Sequence, residues 1–223
     1  RTFIPLLLCA SAICAQEWRI LAIRVDFPFE ETDEYTTTGR GSFDLRSAEE
    51  AGAEYALPYD LPPHDRTYFE CHLKALSRYY DVVSEGRVDI EYEVYPRENE
   101  ATYTLPESML YYGNGRSGEE IGQRWVQLLR DALVLAQADS EGPNLNEFNS
   151  FLIFHAGIGH ETGALNDIRS VFLEPRDFVQ YNGGALQVGE VQIDQAWILP
   201  ESPSMFGRGG LNALMAKFFA HQL

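Results

Sequence analysis

The chain has 223 residues, of which 45% are hydrophobic and 13% aromatic, enough to bury one sizeable core as a single domain. Its 17 basic and 34 acidic side chains give a formal net charge of -17, which repels phosphate backbones and anionic lipid. This charge balance excludes a nucleic-acid-binding role.

The first fifteen residues have the pattern of a signal peptide. RTFIPLLLCASAICA starts with a basic residue, continues with an apolar run over residues 3–8, and then carries small residues. The segment is too short to span a bilayer stably. We therefore expect secretion, with cleavage after Ala12 or Ala15, and a mature domain over residues 16–223.

The cysteines predict neither a lipid anchor nor disulfides. Cys9 and Cys14 lack the preceding small residue that lipoprotein processing requires. Cys71 falls inside a predicted helix, where we expect a small buried thiol rather than a nucleophile.

The amino-terminal half alternates strand and helix patterns. Dense apolar residues predict a buried strand at 18–27, and the acidic, Pro- and Gly-rich residues 30–62 predict a long surface excursion. Asp65 caps a predicted helix that reaches Ser84 and stops at Gly86. Its apolar face is spaced at three- and four-residue intervals, and comprises Phe69, Leu73, Leu76, Tyr80 and Val83.

The second half continues the alternation. A strand with one wet face is predicted at 89–94, and buried strands at 151–155 and 188–199. Ser117 and Glu120 have capping-box spacing ahead of an amphipathic helix that reaches Ala138. After the Gly-rich residues 207–210, a last helix is predicted at 211–222. Interleaved helices and strands indicate an α/β or α+β domain in a three-layer arrangement.

Five segments, in order, resemble the immune inhibitor A-type secreted metallopeptidases. They are ILAIRVDFP, TTTGRGSFD, YFECHLKALSRYYDVVSEGRVDIEYEVYP, TLPESMLYYG and FLIFHAGIGHETGALNDIRSVF. The resemblance covers nearly all of residues 18–223. It implies a zincin-like domain with a twisted mixed sheet, a backing helix and an active-site-type helix near the end of the chain.

The family's active-site helix carries H-E-x-x-H, whose two histidines bind one zinc ion and whose Glu acts as general base. When the last predicted helix is aligned with this motif, Lys217 occupies the position of the first His, Phe218 that of the Glu and His221 that of the second His. The third zinc ligand of the family is expected beyond Leu223, so the sequence is expected to be truncated at this helix. His221 is either an inherited metal ligand or a packing residue.

Glycines surround two further histidines in HAGIGHETG, where we expect a turn after the strand. The segment with His155 and His160 is a substrate-side loop near the metal, a source of replacement ligands beside His221, or a glycine loop in which His155 ties down local backbone; we favour the last for metal ligation. Asp167 is expected to cap a turn rather than bind calcium. His64 and His72 are expected to be structural.

One acidic cluster is a candidate calcium site. It lies in the surface excursion and comprises Glu30, Glu31, Asp33 and Glu34. Oxygen ligands suit calcium, although charge runs in loops are usually just solvated.

The resemblance implies zinc-dependent proteolysis, and the residues argue against it. An ammonium group has no lone pair for zinc and a phenyl ring cannot take a proton. We therefore expect a secreted member of this family that is inactive through residues 217–221. The alternatives are an unconventional zinc peptidase and a pseudopeptidase that binds extracellular proteins or peptides.

Overall fold

The computed structural model describes residues 15–51, 60–203 and 210–223. The helices and strands within these ranges are, in chain order, β1 (Gln16–Asp26), α1 (Ala48–Ala51), α2 (Arg66–Val83), β2 (Val88–Tyr95), β3 (Tyr103–Thr104), α3 (Met109–Gly113), α4 (Gly118–Ala138), β4 (Ser150–Ile158), β5 (Val171–Leu173), α5 (Pro175–Asn182), β6 (Leu186–Val188), β7 (Val191–Ile193), β8 (Ala196–Ser202) and α6 (Leu211–Phe219). The predicted signal peptide lies outside the described residues, apart from Ala15.

A six-stranded sheet organises the domain. Its main order is β2-β1-β4-β8-β5, with β3 also paired to β1. All pairs are parallel except β5 with β8, which makes β5 an antiparallel edge strand. The fold is therefore mixed α/β with a mostly parallel sheet, as the alternation of patterns predicts.

The main crossover helices cover both faces of this sheet. The connection from β1 through α2 leads to β2 on one side of β1 in the sheet. The connection through α4 leads to β4 on the other side of β1. Since parallel crossovers are right-handed, α2 and α4 fall on opposite faces. Phe154 of β4 stacks on Phe69 of α2, whereas its neighbour His155 meets Phe27 on the other face. The ring of Phe27 packs on Tyr112, whose hydroxyl donates to Asp131 of α4.

Both long helices begin at the predicted caps. The Asp65 carboxylate accepts from the amide of Tyr68, and the Ser117 hydroxyl accepts from the amide of Glu120. The expected capping box is only half formed, because the Glu120 carboxylate accepts from the Arg116 amide instead of the Ser117 amide.

Several predicted features differ from the structure. Val83 ends α2 and is 55% exposed, so it is not part of the buried face. Cys71 is exposed, not buried, because it lies on the side of α2 away from the sheet. The predicted strand over 188–199 is instead the end of a β6–β7 hairpin followed by β8, because Gly189 turns the chain at a φ of 57°.

Among the described residues, no helix has both the length and the apolar character needed to cross a lipid bilayer.

Candidate functional site

The helix α6 positions the segment that aligns with the zinc motif. Its inner face is buried and comprises Leu211, Met215, Phe218 and Phe219. The ring of Phe219 packs against Trp18 and Tyr80 at centroid distances of 5.4 and 4.6 Å, and the Tyr80 hydroxyl donates to the Ala216 carbonyl at 2.6 Å. Aromatic packing against β1 and α2 therefore fixes the rotation of α6.

This rotation of α6 places the three side chains aligned with the zinc motif in different environments. Lys217 is exposed to solvent, whereas the phenyl ring of Phe218 is 7% exposed. His221 is exposed and follows the helix, because α6 ends at Phe219 and not at residue 222 as predicted. The His221 amide donates to the Phe218 carbonyl in a tighter turn. In the zinc motif, two histidines four residues apart share one face of a helix. Here α6 ends before His221, so residues 217 and 221 do not share a helical face in this way.

These residues do not fit a zinc ion. An ammonium group such as that of lysine has no lone pair for zinc, Phe218 has no donor atom, and only His221 offers an imidazole ligand. Within the described ranges, no group of three or more His, Cys, Asp or Glu side chains is arranged to hold a metal ion.

His221 lies against the edge strand of the sheet. Its ring stacks on Phe172 of β5, with centroids 5.5 Å apart and planes inclined by 23°. Among the described strands, β5 pairs with β8 alone. The aligned histidine therefore lies beside an edge strand of the sheet.

The two histidines of HAGIGHETG have separate environments. His155 is fully buried in β4, its Nδ1 lies 2.8 Å from the Ala156 carbonyl, and burial lowers its pKa to about 4. His160 is partly exposed, and Arg169 donates to its Nε2 at 3.2 Å. The first histidine is a neutral core residue, as favoured from the sequence.

The expected turn follows this strand, where the amides of Thr162 and Gly163 donate to the Gly159 carbonyl, and a bulge precedes it within the strand. β4 continues to Ile158, and its pairing with β8 shifts register between His155 and Ile158. Gly157 adopts a φ of 90°, and a Cβ there would collide with Met109 and lie 2.9 Å from the Thr38 carbonyl. The glycine permits the close approach of three chain segments.

Asp167 caps a turn, as the sequence predicts. Its carboxylate accepts from the Ala164 amide at 2.6 Å, the Thr38 amide at 2.8 Å and the Thr38 hydroxyl at 3.0 Å. The Thr38 hydroxyl in turn accepts from the Ile158 amide at 2.8 Å. Burial raises the pKa of Asp167. The Asp167 carboxylate therefore connects the loop at residues 36–39 to the end of β4.

Two carboxylates of the acidic cluster accept hydrogen bonds from residues of the same loop. Glu30 accepts from Thr37 and from the Glu34 amide at 3.3 Å each, and Glu34 accepts from the Thr36 hydroxyl at 2.7 Å. Glu31 and Asp33 are exposed. The calcium hypothesis gains no support from these contacts.

Sequence reasoning missed Glu201, which lines a cavity of about 380 Å³ at the carboxyl ends of β4 and β8. Its side chain is 3% exposed and lies 2.6 Å from Nδ1 of His64, which is fully buried. A carboxylate that ends a buried parallel strand is a recognisable signal, because ligand sites of parallel sheets cluster there. Its partner, 137 residues away, gives no local signal.

His64 and His72 both have structural partners, in line with expectation. Burial alone would lower the pKa of His64, but the charge of Glu201 and the hydrogen bond to it raise the pKa above its usual value. His72 lies 2.8 Å from the side-chain oxygen of Asn212, and burial lowers its pKa.

No protein-family model matches the chain, and no curated protein matches it.

Proposed function

We propose that the chain is a secreted, non-hydrolytic member of the immune inhibitor A-like metallopeptidases, and that it binds extended polypeptide at the β5 edge. The observation that carries the proposal is the placement of the motif residues. Phe218 buries its phenyl ring at the general-base position, while Lys217 is exposed and its Nζ lies 5.7 Å from the centroid of that ring. The aligned groups can neither hold zinc nor take a proton from water.

The architecture is compatible with a zincin-like scaffold. A mostly parallel sheet carries an antiparallel edge strand, α2 packs behind the sheet and α6 lies near that edge. The proposed family membership itself rests on the five sequence segments.

Peptide binding follows from the edge strand beside His221. Strand addition supplies affinity through backbone hydrogen bonds and specificity through side chains that flank the edge. Phe172 and His221 provide a stacked aromatic surface at that edge. Aromatic residues dominate the binding energy of such surfaces.

Binding of fluorescein-labelled, unfolded casein tests this role by fluorescence anisotropy. Phe172→Ala should weaken binding about fivefold or more, because an interface aromatic contributes above ~1 kcal/mol. Tyr92→Ala is the matched control, since Tyr92 is a half-buried aromatic on β2 at the opposite end of the main strand order. Equal loss in both variants, or no binding by the wild type, would contradict the proposed role.

Hydrolysis is tested on the same samples. If the wild type cleaves casein and a chelator stops the cleavage, the alternative of an unconventional zinc peptidase is supported instead. Binding without cleavage supports the pseudopeptidase role.

A further inference from the structure

The buried His64–Glu201 pair must hold a proton. Nε2 of His64 lies 2.9 Å from the Asp60 carbonyl, and Nδ1 lies 2.6 Å from Oε2 of Glu201. A carbonyl oxygen only accepts, so Nε2 carries a hydrogen. A neutral imidazole would then turn a lone pair toward a carboxylate oxygen, and the short contact requires a second hydrogen between them.

Two proton arrangements satisfy this geometry. Either an imidazolium donates to a carboxylate, or a carboxylic acid donates to a neutral imidazole. Both hold one proton more than an ionised carboxylate beside a neutral ring. Loss of this proton sets a lone pair of His64 against an oxygen of Glu201 or Asp60, which a buried site tolerates poorly.

The pair connects several parts of the fold. The Glu201 carboxylate also accepts from the amides of Gly157 and Asp44, at 2.6 and 2.8 Å. The carboxylate of Asp60 accepts from the Leu211 amide at 2.9 Å. Gly210 precedes that helix and has no side chain to cap it. The segment around His64 therefore joins the ends of β4 and β8 to the start of α6.

We propose that the proton held by His64 and Glu201 is a latch that fastens the start of α6 to the ends of β4 and β8, and that alkaline pH releases it.

The charges around His64 support retention of the proton. The carboxylate of Glu201 faces His64 from β8. The carboxylate of Asp44 faces His64 from the loop that follows β1. Tyr68 stacks its ring on His64 from α2, and the ring of His72 follows that of Tyr68. Of these residues, His72 can also become positively charged, which would oppose protonation of His64. Burial lowers the pKa of His72 and so favours its neutral form.

Nuclear magnetic resonance of the wild-type protein tests the latch directly. The hydrogen shared by Nδ1 of His64 and Oε2 of Glu201 should remain in place well above the pH at which a free imidazolium loses its proton, whichever of the two atoms it is bonded to. When the proton leaves, hydrogen-exchange protection of the Gly157 and Leu211 amides should fall about tenfold beyond the intrinsic rise in exchange. The Ile153 amide, in the middle of β4, should keep its protection.

The latch is overturned if the pair loses its shared proton at or below the pH at which free imidazolium is deprotonated. It is also overturned if both amides keep their protection after the pair has lost that proton. His64→Gln should give low protection at all pH values, whereas His72→Gln should retain the alkaline transition. If His64→Gln does not fold, the wild-type titration and exchange still decide the matter.

Discussion

The rings of His221 and Phe172 stack at a centroid distance of 5.5 Å, which joins the turn after α6 to the edge strand β5. This contact gives the aligned histidine a packing partner that needs no metal ion. The half-buried ring of Phe172 thus holds the exposed imidazole of His221 against the edge strand.

A double-mutant cycle measures that contact. His221→Ala and Phe172→Ala should each destabilise the domain modestly and couple by about 1 kcal/mol, the value of an aromatic pair. Urea unfolding measures the coupling. The pair Tyr92→Ala and Phe172→Ala should be additive, because these strands lie at opposite ends of the main strand order. Coupling of equal size in both cycles would contradict a direct contact.

The buried phenyl ring of Phe218 predicts how restoration of the motif will act on stability. Phe218→Glu should cost about 3 kcal/mol, because it places a carboxylate at a position that is 7% exposed. Phe218→Leu keeps an apolar side chain and should cost about 1 kcal/mol. Thermal and urea unfolding compare the two variants. Equal stability of Phe218→Glu and the wild type would show that position 218 opens to solvent.

Gly157 should resist substitution more strongly than another glycine with positive φ. Both Gly157 and Gly183 have left-handed backbones, at φ of 90° and 78°. A Cβ at Gly183 has no atom within 4 Å, whereas a Cβ at Gly157 meets Met109 and the Thr38 carbonyl. Gly183→Ala should therefore cost about 1 kcal/mol, and Gly157→Ala about 3 kcal/mol or more. Similar losses of stability would mean that β4 relaxes around the added methyl group.

His155 should make the domain acid-sensitive. Burial lowers its pKa to about 4, against 6.5 for the exposed group, so the unfolded chain binds this proton first as pH falls. Stability from this residue is full above pH 6.5 and declines toward pH 4, by about 3 kcal/mol in total.

Urea unfolding between pH 4.5 and 6.5 tests the acid sensitivity. His155→Phe should flatten the pH dependence, because the variant has no group at this position that takes up a proton. The same slope in His155→Phe and the wild type would contradict the assignment. The His64–Glu201 pair acts in the opposite sense, because a raised pKa gives stability that is lost as pH rises through it.

Local signals in the sequence predicted much of the fold. Asp65 and Ser117 cap their helices because a short acceptor side chain before an apolar stripe acts within one turn of chain. The β6–β7 hairpin was missed because residues 188–199 alternate as one strand would, and the turn at Gly189 interrupts them without changing that pattern. The family resemblance and its zinc chemistry stay predictions.

The candidate site was less predictable because its contacts are long-range. His64 and Glu201 meet only after β8 has joined the sheet beside β4. The stack of His221 on Phe172 likewise depends on β5 closing the sheet edge. The identities of Lys217 and Phe218 were readable from the sequence, whereas their outward and inward orientations required the packing of α6.

Zinc content, measured together with casein hydrolysis in the presence and absence of a chelator, tests the central claim most directly. The dialysed secreted protein should retain no stoichiometric zinc and should show no chelator-sensitive cleavage. One tightly held zinc ion per chain that is lost in His221→Ala, accompanied by cleavage that the chelator stops, would contradict the account.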